Sequence, residues 1–197
     1  MNILNNIIKF TNEAHIYSNE WFEWNHFLIP NKPKWYRELL RNLMSYMSHC
    51  KNCTALDGCY FVSRISPEMP LHKNCDCTKK IISFNMVESK ASAFCNITKF
   101  TNYVFRDVVG SKGKNQIFFD LGYDIKDSEY LKHEYEKQAL AQYLNGNYKL
   151  KKLDEYGQKL AIPVTLNHTT FYSGWTLYPE GKIINTTPFG GWIKWKN

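Results

Sequence analysis

Residues 148–186 read YKLKKLDEYGQKLAIPVTLNHTTFYSGWTLYPEGKIINT, and they determine the fold class. Runs rich in β-branched and aromatic residues alternate here with turn residues, which is typical of short antiparallel strands. The turn sequence Pro179-Glu180-Gly181 indicates a hairpin before the last run. The pattern predicts four strands and a further one near the end: Tyr148–Leu153, Leu160–Leu166, Thr170–Tyr178, Lys182–Thr186 and Trp192–Trp195.

Helices are predicted in front of these strands. Thr98 caps the first, which runs to about Val109, and the second covers Asn115–Leu121 and is stopped by Gly122. Asp127 caps a third helix that ends at Asn145-Gly146, and its inner face carries Leu131, Tyr135, Ala139, Leu140, Tyr143 and Leu144. Helices followed by antiparallel strands indicate an α+β domain over residues 96–197, in which a helical segment packs on an antiparallel sheet.

Residues 1–95 form the other predicted domain. Residues 19–27 are dense in aromatic side chains, which we expect to pack in a core rather than to stack on nucleobases. Hydrophobic residues at helical spacing predict an amphipathic helix over Trp35–Met47. Residues 79–95 show no clear periodicity and are predicted to link two parts of the chain.

All six cysteines lie in this first domain. Cys50 and Cys53 form a C-x2-C pair, and about 20 residues later His72, Cys75 and Cys77 form an H-x2-C-x-C group, a spacing close to that of treble-clef and zinc-ribbon sites. Two thiolates on one tight turn fill two corners of a tetrahedron, and a second turn beyond a hairpin supplies the others. The sequence therefore predicts a small zinc-knuckle module with a structural zinc ion.

Four ligands close a tetrahedral zinc site, so one of His72, Cys75 and Cys77 is expected not to bind the ion. A closed site leaves no position for water, so catalysis at the metal is not expected. The turn Asp57-Gly58 and a strand over 60–62 would build the hairpin between the two ligand groups. The alternatives are two disulfides, which need an oxidising compartment, or buried thiols. Cys59 and Cys95 are expected to be small buried hydrophobic residues.

The cysteine region resembles a known motif. Residues 50–58, CKNCTALDG, and 70–78, PLHKNCDCT, are similar to the cysteine motif that ends phage head morphogenesis (minor head) proteins. Asp76 stands where that family usually has arginine, and most of the long helical region that precedes its motif is missing. The same module precedes toxin domains carried by temperate phages. The resemblance thus implies a phage or mobile-element context.

The second half lacks a metalloenzyme signature, a P-loop, a dinucleotide fingerprint and a nucleophile elbow. The remaining candidate activity is the metal-independent acid–base cleavage of RNA. In this reaction a base removes the 2′-OH proton, an acid protonates the departing oxygen and a cation stabilises the phosphorane. His168, between two predicted strands, is the candidate acid or base. Lys112 and Lys114 would hold phosphate near a helix start, Thr186 and Thr187 would add hydroxyl donors, and Tyr172 is a further candidate catalytic residue.

Each of these residues also has an ordinary structural interpretation. His168 would then be a turn residue, the Lys112–Lys114 segment a solvated connector, and Tyr172 and Trp175 part of a core. His133 is expected on the outer, solvent-exposed face of its helix, beside charged residues.

A second resemblance covers residues 99–189. The segments KFTNYVF (99–105), GSKGK (110–114), FFDLGY (118–123), GWT (174–176) and TTP (186–188) are similar to a small uncharacterised domain of contact-dependent-inhibition and other polymorphic toxins, and of phage proteins. Asn115 departs from its usual small residue, and the ending is shortened. The resemblance implies an RNase-like effector and assigns a role to Lys99, to Lys112 or Lys114, to Trp175 and to Thr187.

The leading functional prediction is a phage or mobile-element toxin that cleaves RNA without a metal in its active site, with an immunity protein as partner. The alternative is a non-enzymatic phage accessory protein that binds capsid, a host defence complex or nucleic acid. A net charge of +7 is compatible with a polyanionic partner. We expect a cytoplasmic location, because no run resembles a signal peptide or a membrane span.

Overall fold

The computed structural model describes residues 20–25, 51–69, 71, 77–106 and 114–193. These residues form an α+β structure with two compact units. The first unit holds the described residues up to Lys90, with 152–158 and 178–181, and the second holds 91–151, 159–177 and the residues from Lys182 onward. The first unit thus includes two segments that a division at residue 95 would assign to the second half.

The first unit contains a three-stranded antiparallel sheet. Its strands are β1 (Trp21–Asn25), β2 (Tyr60–Val62) and β3 (Thr78–Ile82), in the order β2-β1-β3. All three aromatic side chains of β1 are buried, and the ring of Phe22 stacks on Phe61 with centroids 5.9 Å apart. The described part of the aromatic stretch therefore packs in a core, as predicted.

The hairpin predicted between the two cysteine groups is wrong in its pairing. The turn at Asp57-Gly58 and the strand over 60–62 are present, but β1 lies between β2 and β3. A central strand is paired along both edges, which suits the buried aromatic side chains of β1. The Gly58 amide donates to the carbonyl of Trp24 at 2.7 Å, and the positive φ of 78° at this turn favours glycine.

The segment over 79–95 does join the two units, since the first segment of one ends at Lys90 and the other begins at Ala91, but it also carries regular structure. Strand β3, helix α2 (Phe84–Lys90) and strand β4 (Ser92–Phe94) occupy this region, and a short helix α1 (Lys51–Leu56) precedes the Asp57-Gly58 turn. The α2 segment escaped detection because only Val87 in it is buried, so no apolar period is visible. The predicted helix over Trp35–Met47 lies outside the described residues.

The second unit is built around a five-stranded sheet in the order β4-β8-β7-β6-β5. Its remaining strands are β5 (Lys149–Asp154), β6 (Gly157–Leu166), β7 (Thr169–Leu177) and β8 (Lys182–Trp192). Strands β7 and β8 are antiparallel, whereas β4 runs parallel to β8. The sheet is therefore mixed and not purely antiparallel, and the connection between β4 and β8 contains the helices and the strands β5, β6 and β7, which makes it long enough for a parallel pair. Of the run predicted at Trp192–Trp195, Trp192 is the last residue of β8, Ile193 lies in no strand, and residues 194–195 are outside the described residues.

Two of the predicted helices are confirmed, as α3 (Lys114–Asp120) and α4 (Ser128–Leu144). The inner face of α4 repeats every four residues, with fully buried Leu131, Tyr135, Ala139 and Tyr143. Gly122 has a φ of 82° after α3, as a left-handed cap requires.

The first predicted helix is shorter than expected and is a π-helical segment, Lys99–Val104. Neither predicted cap makes its bond: Thr98 forms no side-chain cap bond, and the carboxylate of Asp127 accepts from the backbone N–H of Asp124 at 2.7 Å. Asp127 thereby closes a capping box around a 3-10 turn, Ile125–Asp127, instead of capping α4.

None of the described helices is long and apolar enough to cross a membrane.

Candidate functional site

The two faces of strand β7 carry different chemistry. Alternate residues are fully buried in the core: Phe171, Ser173 and Trp175. The ring of Phe171 contacts Phe118 of α3, with centroids 6.2 Å apart, so this face packs against the helices. Because side chains alternate along a strand, the residues between them lie on the opposite face: Tyr172, Gly174 and Thr176.

We call this opposite surface the polar face. It is defined by Lys149, Lys159, Tyr172, Gly174, Thr176, Thr186 and Thr187, all of the second unit. The ammonium group of Lys149 lies 4.8 Å from the centroid of the Tyr172 ring. The ammonium group of Lys159 donates to the hydroxyl of Thr176 at 3.0 Å. Two cations are thus held against an aromatic ring and a hydroxyl on one side of the sheet.

Gly174 of β7 lies under two threonine side chains of β8. A Cβ at this position would come within 2.6 Å of the Thr187 Cγ2 and 3.2 Å of the Thr186 hydroxyl. Real Cβ atoms do not approach so closely, so only glycine leaves room for both threonines. The Gly174-Trp175-Thr176 segment belongs to the second resemblance, but the sequence around it does not indicate which residues pack over the glycine.

A bulge in β8 places the two threonines there. Gly174 is opposite Thr187 and Trp175 is opposite Asn185, so Thr186 is an extra residue in β8. The side-chain amide of Asn185 donates to the carbonyls of Gly174 at 3.2 Å and of Thr187 at 3.4 Å, which holds the bulge on both strands.

Two further contacts fix this part of β8. The ammonium group of Lys99 donates to the carbonyl of Thr186 at 3.2 Å, and the hydroxyl of Thr187 donates to the carbonyl of Phe189 at 3.1 Å. Two residues to which the second resemblance assigns a role, Lys99 and Thr187, therefore meet at one bulge. Trp175, a third, is fully buried and donates from its indole to the Ser173 hydroxyl at 2.6 Å, which is a core contact.

His168 lies at the end of the sheet. With Asn167 it forms the two-residue turn between β6 and β7, and both have positive φ angles of 42° and 64°, as in a type I′ hairpin. The side chain of Asn167 accepts from the Tyr123 hydroxyl at 3.0 Å, which anchors the turn to the end of α3.

His168 itself is exposed. It is four residues from Tyr172 along β7, about 13 Å, and six from Gly174, about 20 Å, at the usual rise of an extended strand. Among the predicted catalytic residues, the structure therefore brings Tyr172 and Thr187 together on neighbouring strands and leaves His168 at the hairpin tip.

The structure describes one of the two lysines that were predicted to hold phosphate. Lys112 lies outside the described residues, and Lys114 is the first residue of α3. His133 is on the outer face of α4 with its side chain 70% exposed, as predicted, and its ring nitrogens lie 3.9 Å from carboxylate oxygens of Glu129 and Glu136.

Of the five predicted zinc ligands, two are described. The side chains of Cys53 and Cys77 are buried in the first unit. Cys50, His72 and Cys75 lie outside the described residues. Within the described ranges, no group of three or more His, Cys, Asp or Glu side chains could hold a metal ion. The zinc site stays a prediction that depends on the three ligands outside those ranges.

Cys95 is a buried thiol under the helices of the second unit. Its backbone N–H donates to the Glu136 carboxylate at 2.9 Å, which also pairs with Lys132 at 3.3 Å. Burial, and then the nearby charge of Glu136, raise the pKa of the Cys95 thiol to about 12. The thiol is therefore protonated at neutral pH and is no nucleophile, in agreement with its predicted role as a small buried residue.

Sequence reasoning missed the two lysines of the polar face. Lys149 and Lys159 lie on β5 and β6, away from any motif. The available signal was the alternation of β5, where Lys149 and Lys151 occupy one face in period two. That alternation predicts a basic face but does not show which ring the ammonium group covers.

No protein-family model, no curated protein and no solved structure matches this chain.

The chemistry of the polar face follows from its groups. Ammonium groups attract phosphate, an aromatic ring offers a surface to a nucleobase, and hydroxyls both donate and accept hydrogen bonds. The set Lys149, Lys159, Tyr172 and Thr186 is thus suited to a ligand that combines negative charge, flat rings and hydroxyl groups.

Proposed function

We propose that the protein binds RNA on the polar face of its five-stranded sheet. The observation that carries this proposal is the Lys149 ammonium group held 4.8 Å from the Tyr172 ring, beside the threonines packed over Gly174. A cation next to an aromatic ring on a sheet surface can meet a phosphate and a base of one strand at the same time.

The charge of the whole chain supports the same ligand. A net charge of +7 favours the approach of a polyanion. The ribose 2′-hydroxyl is both donor and acceptor, so the Thr186 and Thr187 hydroxyls at the bulge are complementary to RNA in a way that they are not to DNA.

The test compares two lysine variants in an RNA-binding titration at several salt concentrations. Lys149→Gln removes a cation of the polar face, and Lys137→Gln removes one from the outer side of α4, where its side chain is 78% exposed. We expect Lys149→Gln to weaken RNA binding and to reduce the slope of log K against log salt by about one, since one phosphate contact is lost. Lys137→Gln should match the wild type. Equal binding by all three proteins would contradict the proposal.

RNA cleavage is the second candidate. Two of the predicted catalytic residues, Tyr172 and Thr187, lie on neighbouring strands of the polar face, next to lysines that would stabilise a charged phosphorane. A metal-independent ribonuclease would degrade labelled RNA in the presence of EDTA, and Tyr172→Phe would reduce the rate without weakening binding. RNA that stays intact while bound would leave binding as the function.

A toxin and a phage accessory protein differ in their effect on the growth of the host cell. A toxin would arrest growth on expression and be neutralised by an immunity protein, and a phage accessory protein would do neither. Co-expression of the chain with neighbouring genes, read as restored growth, separates the two.

The zinc prediction has its own test. Cys50, Cys53, His72, Cys75 and Cys77 would supply four ligands, and the ion would staple the first unit. Mass spectrometry of the native protein should find about one equivalent of zinc, and Cys53→Ser should lose both the metal and the fold of this unit. Cys59→Ser, a change at a buried cysteine outside the predicted ligand set, should retain the zinc.

A further inference from the structure

The position opposite Tyr172 in the sheet is empty. Tyr172 on β7 is paired with Gly191 on β8. Within the described part of the chain, and apart from the two chain neighbours of Gly191, no atom lies within 4 Å of where a Cβ of residue 191 would be. The φ of 125° at this position is one that residues with a side chain adopt only with strain.

The strand around this position is nevertheless fixed. A Cβ at the neighbouring Gly190 would lie 3.1 Å from the carbonyl oxygen of Tyr172 and 3.4 Å from the amide nitrogen of Gly174. The backbones of β7 and β8 are therefore packed tightly beside the gap. The backbone that lines the gap is already ordered before a ligand binds, which lowers the entropic cost of binding.

The ring of Tyr172 thus has two different neighbours. On the β5 side the ammonium group of Lys149 lies 4.8 Å from its centroid. On the β8 side the residue paired with Tyr172 is Gly191, which has no side chain to cover the ring. An aromatic ring with a cation on one side and free space on the other is the arrangement in which a base stacks and its phosphate meets the cation.

We propose that Tyr172 and Gly191 form a slot for one unpaired nucleobase, so that the ligand is single-stranded RNA. This inference rests on the proposed RNA-binding function and narrows it. A base within a duplex is stacked on its neighbours and cannot stack on a single aromatic ring at the surface of a sheet, whereas an unpaired base can.

The experiment uses the full-length protein and short oligoribonucleotides carrying one 2-aminopurine. Stacking on Tyr172 quenches the fluorescence of that base, while total binding is measured separately by filter retention. The wild type should retain the single strand, quench the probe and bind the matching duplex at least ten-fold more weakly.

Two variants separate stacking from the hydroxyl. Tyr172→Phe keeps the ring and should quench as the wild type does. Tyr172→Leu removes it and should lose the quenching and about 5- to 100-fold in affinity, the range typical of stacking one base on an aromatic side chain. An abasic nucleotide in place of 2-aminopurine should weaken wild-type binding by a similar factor, which tests the slot without altering the protein.

The outcomes are distinguishable. A wild type that retains no RNA would overturn the RNA-binding function and the slot together. Retention of RNA without quenching, with equal affinity for duplex and single strand and no effect of the abasic site, would overturn the slot alone and leave the cationic surface as the binding element.

Discussion

The two faces of strand β7 differ although their residues alternate along one chain segment. On the helix side, Trp175 is fully buried and its indole donates to Ser173. On the polar face, Tyr172 lies under a lysine and Gly174 under two threonines. The helix side is closed by apolar contacts and internal hydrogen bonds, and the other side presents charge and hydroxyls. We expect the helix side to determine stability and the polar face to serve the proposed RNA binding, so substitutions on the two faces should have separate effects.

The largest effect is expected on the helix side. Trp175→Ala removes the largest side chain of this face and should lower the free energy of unfolding by about 3–5 kcal/mol. Tyr172→Ala, three residues away on the polar face, should cost much less stability and weaken RNA binding more. Urea denaturation and RNA titration of both variants test the separation, and it would fail if Tyr172→Ala were as destabilising as Trp175→Ala.

A smaller loss is expected where the polar face is most crowded. Gly174→Ala places a Cβ 2.6 Å from the Thr187 Cγ2 and should destabilise the protein by about 1–3 kcal/mol. The double variant with Thr187→Ser, which lacks that methyl group and keeps the hydroxyl, should recover a large part of the loss. Thermal denaturation of the two single variants and the double variant measures this coupling. Strictly additive effects would show that the methyl group is not the obstacle.

The third prediction concerns pH and belongs to the helix side. The ordinary pKa of the Cys95 thiol is 9.0, and burial raises it to about 12 in the folded protein. Between these values the unfolded chain releases the proton and the folded one retains it. The stabilisation is therefore complete below about pH 9 and is lost as the pH rises, by up to about 1.4 kcal/mol per pH unit.

Cys95→Ala should remove this part of the pH dependence. The free energy of unfolding of the variant and the wild type, measured by urea denaturation from pH 7 to 10, should differ by an amount that shrinks above pH 9. A constant difference across that range would mean that the thiol is not shielded from solvent.

The smallest effect is expected from one hydroxyl of α4. The Tyr135 hydroxyl is buried and donates to the carbonyl of Pro188 on β8 at 3.0 Å. Tyr135→Phe keeps the ring packed against Phe100 and leaves that carbonyl without its donor, at a cost of about 1 kcal/mol. Chemical denaturation measures it, and RNA binding should be unchanged because this bond lies on the helix side.

Local patterns predicted much of the second unit. The four-residue spacing from Leu131 to Tyr143 predicted α4, and Gly122 predicted the end of α3. Runs of β-branched and aromatic residues between turn residues predicted the strands from Lys149 onward. These features depend on neighbours within one turn or one hairpin, so they are visible in a single sequence. The mistaken cap at Asp127 is of the same local kind, because Asp124 competes for the same role three residues earlier.

Long-range pairing could not be predicted in this way. Strand β4 looked like part of a link, and its partner β8 begins about ninety residues later, so no local signal joins them. In the same way β1 was recognised as aromatic, but its insertion between β2 and β3 depends on strands far along the chain.

The candidate site was predicted in part. Tyr172 and Thr187 were predicted as catalytic residues and lie on neighbouring strands, while His168, chosen for its position between two predicted strands, lies at the hairpin tip. Lys149 was missed because its relation to Tyr172 spans β6, and such a contact depends on strand order and side-chain length together.

The place of β8 in the sheet has a consequence for how the chain is made. Strand β8, the last described strand of its unit, leaves the ribosome after β4 and β7 and lies between them in the sheet. Until it emerges, β4 has no partner and one edge of β7 is exposed. Contacts so distant in sequence slow folding, and unpaired edges invite association between chains. A nascent chain stalled before residue 182 would therefore carry two open edges, and a complete one would close both with a single strand.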